Sequence, residues 1–150
     1  MKIIKPPQEL KISGKSVFLA GSIEMGKAEN WQEKVERLLK DSDWTVLNPR
    51  RDDWDSSWKQ GIEHIQFRQQ VEWELLAQEK ATAILMYFDI ATKSPISLLE
   101  LGLFASSGKM IVVCPEGFYR KGNVDITCKR YGVKQVDTIE EAVKEILEES

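Results

Sequence analysis

The chain has 150 residues, 42% hydrophobic and 30% charged, with a net charge of −3. That length fits one domain over 1–150 with a substantial core, and the slight negative charge offers no basic field to nucleic acid or an anionic membrane. Apolar runs such as Ile84–Phe88 fall far short of the roughly 20 residues a spanning helix needs, and Met1 to Pro7 lacks a signal-peptide core, so a cytoplasmic protein is expected.

In chain order, Ser16–Gly21 reads as the first strand and Ala28–Lys40 as a helix with Trp31, Val35, Leu38 and Leu39 on one face. Trp44–Leu47 reads as a second strand. The connection Asn48–Lys59, NPRRDDWDSSWK, shows no clear regular structure, and its tryptophans Trp54 and Trp58 are unusual cargo for a solvated loop. A helix over Gly61–Glu79 leads to a third strand, Ala81–Phe88, apolar through most of its length as in a strand buried on both faces. A helix at Ile96–Ser107, a strand at Met110–Cys114 and a weak strand at Val133–Val136 follow. The last helix, Ile139–Glu148, starts after Thr138 as N-cap.

Strands alternating with helices imply right-handed crossovers and a parallel sheet covered on both faces. The expected fold is α/β: a doubly wound, flavodoxin-like three-layer sandwich with a five-stranded parallel sheet in the order 2-1-3-4-5. Such sheets bind ligands beyond the carboxyl ends of their strands, at the switch point. That rule directs attention to Gly21 and Ser22, to Asp89 onward and to Pro115 onward.

The residue types narrow the chemistry. Cys114 and Cys128 form no C-x-x-C, and His64 is the single histidine, which removes most histidine-based catalytic and metal arrangements. Carboxylates must carry any acid–base work. Glu100 stands in SPISLLELGLF, and helical spacing sets Ile96, Leu103 and Phe104 on its face; a carboxylate so embedded is costly unless bonded, paired or functional. Ser97-x-x-Glu100 also matches a capping box, whereas a helix starting at Ser94-Pro95 would place Glu100 deeper. Cap and catalyst both stand on spacing alone, and the position after a switch-point strand favours the catalyst. Asp89 closes the third strand, a common place for a plain loop aspartate. In FRQQVEWELL, periodicity leaves open whether Glu74 or Glu72 points inward. Gly21 and Ser22 precede a helix without matching any glycine-rich fingerprint. Gly117–Asn123, GFYRKGN, reads either as aromatic and polar cover for a pocket or as a surface turn with Phe118 tucked down.

Taken together, VFLAGSI, NPRRDDWD, FRQQVEWE, SPISLLELG and FYRKGNVDI resemble the nucleoside 2-deoxyribosyltransferase family, in its short single-domain branch. The resemblance implies that Glu100 is a nucleophile attacking the anomeric carbon of a nucleoside. It implies that Glu74 and Asp89 position the sugar and manage the proton on the leaving base, and that Ser22 holds the 5′ end, beside Gly21 in a loop whose backbone N–H groups could hold a hydroxyl or phosphate. It implies further that Trp54 helps cover the base and that Asn123 is donated across a subunit interface of a homo-oligomer. The implied partners are a nucleoside or nucleotide and a free nucleobase, with no metal and no organic cofactor. Two inversions at a carboxylate give net retention, and a base leaves more readily once protonated.

The chain departs from the family pattern at Leu98 and Leu99, where small residues usually precede the nucleophile, and at Phe18, where a tyrosine is common. Leu98 and Leu99 are expected to dry the site, and Trp54, Trp58, Phe118 and Tyr119 to wall a second base, which favours transfer over hydrolysis. The rival enzyme is a nucleoside 5′-monophosphate N-glycosidase using the same Glu100. The rival from another class is a non-catalytic nucleotide- or FMN-binding module.

Overall fold

The computed structural model describes residues 1–23, 30–51 and 57–148. Six strands form one parallel sheet: β1 (Lys2–Ile4), β2 (Ser16–Gly21), β3 (Thr45–Leu47), β4 (Ala83–Tyr87), β5 (Met110–Val113) and β6 (Lys134–Val136). They lie in the order β1-β3-β2-β4-β5-β6. The five expected strands keep their 2-1-3-4-5 arrangement, as β3-β2-β4-β5-β6. The correction is β1, a sixth strand on the outer edge of β3, with Lys2 opposite Thr45 and Ile4 opposite Leu47. Three residues with a single buried side chain, Ile4, are too short to show a period, so only pairing with β3 defines the strand.

Period-two alternation divides the core into two layers. Phe18 and Ala20 of β2 and Ile84 and Met86 of β4 pack with Trp73 and Ala77 of α2 (Ile65–Lys80), Leu101 of α3 (Pro95–Phe104) and Val124 and Cys128 of α4 (Lys121–Tyr131). The alternate residues Val17, Leu19 and Leu85 face Trp31 and Val35 of α1 (Trp31–Leu38) and Ile139, Val143 and Ile146 of α5 (Ile139–Glu148). No helix among the described residues is long and apolar enough to cross a membrane.

Boundaries shift for local reasons. Helix α1 begins at Trp31 because the Asn30 side chain accepts from the Glu33 N–H. Residues 61–64 make a turn closed by the His64 N–H on the Gly61 carbonyl, so α2 starts at Ile65. The helix expected over Ile96–Ser107 ends in a 3₁₀ turn at Ala105–Ser107. Helix α4 replaces part of the stretch read as loop or turn: only Val124 and Cys128 are buried on it, an i,i+4 pair too sparse to read as a stripe. Lys121 ties its first turn to the end of β5 by donating to the Cys114 carbonyl at 2.9 Å.

At the carboxyl end of β2, Gly21 has φ 141° and runs so close to β4 that a Cβ there would sit 2.2 Å from the Tyr87 carbonyl oxygen. Only glycine fits that approach. The next N–H, of Ser22, donates to the same carbonyl at 3.1 Å.

Candidate active site

Helix α3 starts at the Ser94-Pro95 alternative, with Ser94 as N-cap and Pro95 in the first turn. Glu100 therefore sits in the second turn, roughly 8 Å along the axis at 1.5 Å per residue, and no capping box forms with Ser97. The amphipathicity of α3 is inverted. Ser97, Glu100 and Leu101 are buried, while Ile96, Leu99 and Leu103 are 53–60% exposed. Ile96 and Leu103 do not embed the acid as expected, and Leu99 turns away from the interior instead of drying it. Leu98 and Phe104 are partly buried against the core.

The inward acid meets α2. Gln78 Nε2 donates to Glu100 Oε2 at 2.6 Å, and Glu74, one turn before Gln78, faces Glu100 closely enough to raise its own pKa by charge. Burial pushes Glu100 up to about 7 against the opposing hydrogen bond from Gln78. Burial first, and the neighbouring Glu100 second, push Glu74 up to about 8, opposed by a hydrogen bond with Gln70. Both acids therefore hold a proton more readily than a free glutamate, and ionisation of one opposes ionisation of the other. Two carboxyl groups held apart in protonation are what an acid and a nucleophile require. A second-turn position is beyond most of the helix-dipole effect, so the Gln78 amide is the main group favouring the charged form. The structure also resolves the choice on α2: Glu72 is exposed and pairs with Arg68 at 3.7 Å.

A second buried polar cluster lies at the carboxyl ends of β2 and β4. Ser22 Oγ is within hydrogen-bond reach of Thr92 Oγ1 (2.9 Å) and Ser94 Oγ, and accepts from the Asp89 N–H at 2.9 Å. Thr92 Oγ1 also donates to the Asp89 carbonyl at 2.9 Å and contacts Ser94 Oγ at 2.7 Å. The Asp89 carboxylate accepts from the Ala91 N–H at 2.8 Å, and Trp31 Nε1 donates to the Ser22 carbonyl at 3.0 Å. This knot holds Ser94 in the left-handed region, φ 46°, and so sets where α3 begins and where Glu100 falls. Both the N–H and the hydroxyl of Ser22 are engaged within the fold. Gly21 and Ser22 thus shape the loop, and the hydrogen bonds of Asp89 given above organise its own turn.

The remaining expected residues are dispersed. Trp54 lies outside the described residues. Trp58 is half-buried between the His64 ring (5.8 Å) and the Arg51 guanidinium (4.9 Å). Phe118 is core, 4.8 Å from Phe88, so it walls no pocket; Tyr119 beside it is 54% exposed. Asn123 is exposed in the first turn of α4. A groove of about 470 Å³ between the N-terminal segment and α2 is lined by Pro7, Leu10, Ile65, Arg68 and Trp73, but by neither inward acid. Sequence reading missed Gln78; its one signal was its place four residues after Glu74, on the same side of the helix.

The chain is a doubly wound α/β protein in which two carboxyls, Glu100 buried and Glu74 partly buried, face each other from α3 and α2. The family model described as nucleoside 2-deoxyribosyltransferase like matches residues 14–118, and the chain belongs to that family. The match takes in Glu74, Gln78, Asp89 and Glu100 and ends before Asn123. No curated protein matches the chain.

Proposed function

We propose that the protein transfers a 2-deoxyribosyl group between nucleobases through an ester on Glu100. The observation that carries this reading is the α2–α3 seam, where Gln78 Nε2 donates to Glu100 Oε2 at 2.6 Å and Glu74 faces the same carboxyl, with burial raising the proton affinity of both acids. Ionised Glu100 attacks the anomeric carbon as the bond to the base breaks. Glu74, still protonated, gives its proton to the departing base, whose bonding electrons take it up. The incoming base then displaces Glu100 from the opposite face, returns a proton to Glu74 and restores the configuration. Asp89, Gly21 and Ser22 act as positioning residues through the start of α3.

One observation favours hydrolysis as the second reading: Leu99 points outward and Phe118 inward, so neither excludes water from the seam. The 5′-monophosphate N-glycosidase belongs to this reading. The exposed residues Ile96, Leu99 and Leu103 on α3, and Ile126 and Asn123 on α4, are the surface proposed to meet a second copy. The deciding experiment supplies a deoxynucleoside with and without an excess of a different free base. Transfer predicts that the new deoxynucleoside outweighs free sugar when acceptor is present. Free sugar released at the same rate regardless of acceptor establishes the hydrolase, and consumption of 5′-monophosphates alone establishes the glycosidase. Light scattering at micromolar concentration tests assembly, and a fully active monomer removes Asn123 from the site.

A further inference from the structure

Gln78 is completely buried, and its amide has a one-way arrangement. Nε2 donates to Glu100 Oε2 at 2.6 Å and to the Glu74 backbone carbonyl at 3.1 Å, which uses both N–H bonds. Turning the amide over would set its oxygen against the carboxylate and strand both donors. Oε1 is buried without a hydrogen-bond partner among the described residues, a deficit that an apolar side chain of the same length would not carry. The backbone beneath is fixed as well. Lys109 Nζ donates to the carbonyls of Gln78, Glu79 (3.0 Å) and Ala81 (2.9 Å), capping the last turn of α2. Eight residues earlier on the same side, Gln70 Nε2 donates to the Pro49 carbonyl at 3.0 Å. The stripe Gln70, Glu74, Gln78 is therefore anchored at both ends, with the acid between.

We propose that Gln78 is the positioning residue of Glu100, pinning Oε2 so that Oε1 is the oxygen that attacks. The proposal rests on the transferase reading for its chemistry, but the hydrogen bond itself is testable without any substrate. Among the described residues packed on α3, β2 and the 3₁₀ turn carry no titratable side chain, α4 brings the buried Cys128 thiol into the same core as Leu101, and α2 turns Glu74 toward Glu100.

The test compares wild type with Gln78→Met, which keeps length and volume, and Gln78→Glu, which keeps shape and replaces the donor with a second acid. Carbon-13 NMR titration of glutamate side-chain carboxyls, assigned through Glu100→Gln, follows Glu100 directly, and thermal unfolding checks that each variant is folded. Losing a hydrogen bond to the charged form predicts that Glu100 titrates about one to two pH units higher in Gln78→Met, and higher still in Gln78→Glu. In turnover, the acidic limb of kcat/KM moves up by the same amount. At each protein's own pH optimum kcat stays down by about tenfold or more with KM little changed, since Oε2 is no longer held. An unmoved Glu100 titration in both variants overturns the proposal, as does a kcat at the pH optimum equal to wild type. A wild-type protein that titrates as expected but cleaves no glycosidic bond retains the Gln78–Glu100 coupling and rejects the transferase reading instead.

Discussion

Two buried polar clusters flank the start of α3 and differ in how they are balanced. In the knot at Ser22, Asp89, Thr92 and Ser94, hydroxyls, carbonyls and N–H groups satisfy one another within the fold. In the seam at Glu74, Gln78 and Glu100, two acids are pushed together, Glu100 buried and Glu74 partly so, with the Gln70 and Gln78 amides of α2 as their hydrogen-bond donors and both amide oxygens left unmatched among the described residues. Buried polar groups of the first kind stabilise a fold. Those of the second kind cost stability and persist where they do something else. Burial alone would have ranked Ser22 and Glu100 equally as site residues; the balance of partners separates them.

Glu100→Gln strains that comparison hardest. It should lower kcat by several orders of magnitude, as loss of a covalent nucleophile does, while raising thermal stability at pH 8 because a buried charge is removed. A variant that loses activity by unfolding would place Glu100 with the knot. Glu74→Gln should cost about 10²–10⁴-fold in rate, the usual range for a lost general acid. Glu100 must be ionised, above about 7, and Glu74 protonated, below about 8. Wild type should thus show a narrow optimum between those values, and Glu74→Gln should lose the alkaline limb.

Stability should carry the mark of the same two acids. Both ionise near the ordinary 4.5 in the unfolded chain and near 7 and 8 in the folded one. Between those values the folded state binds more protons, so stability falls as pH rises from about 4.5 to about 8 and levels off above. The loss should be on the order of a few kcal/mol, and less than the full shifts imply because Glu74 is only partly buried. Urea unfolding across that range, with Glu74→Gln and Glu100→Gln each flattening the slope, checks it. The smallest effect belongs to the knot. Ser22→Ala should destabilise by about 1–3 kcal/mol, the cost of leaving the Asp89 N–H unmatched, and should leave both limbs of the pH profile where they were.

What could be read from the sequence follows how strongly each element patterns itself. Apolar runs as dense as those of β2, β4 and β5, and the even stripe of α5, declared themselves, and their alternation fixed the doubly wound order. Helix α4 did not, because Gly122 and its basic residues surround only two buried positions. Glu100 was visible as an acid among aliphatics, although the aliphatics mislead about direction: the helix turns Ile96, Leu99 and Leu103 out and the acid in. Glu74 and Glu72 are equivalent by composition, and only the packing of α2 on α3 distinguishes them. A glutamine such as Gln78 is ordinarily solvated on a helix, so nothing short of the fold marks it. The wall expected from Phe118 failed because an aromatic after a glycine serves a core as readily as a pocket.

The central claim is the ester on Glu100, and it can be observed directly. Protein mixed with a deoxynucleoside and quenched in acid, then digested and analysed by peptide mass spectrometry, should carry one deoxyribosyl group on the segment Pro95–Phe104, located at Glu100. The adduct should disappear when a second nucleobase is added before the quench and should be absent in Glu100→Gln. An adduct on another residue, or a Glu100→Gln variant that turns over at the wild-type rate, would contradict the account.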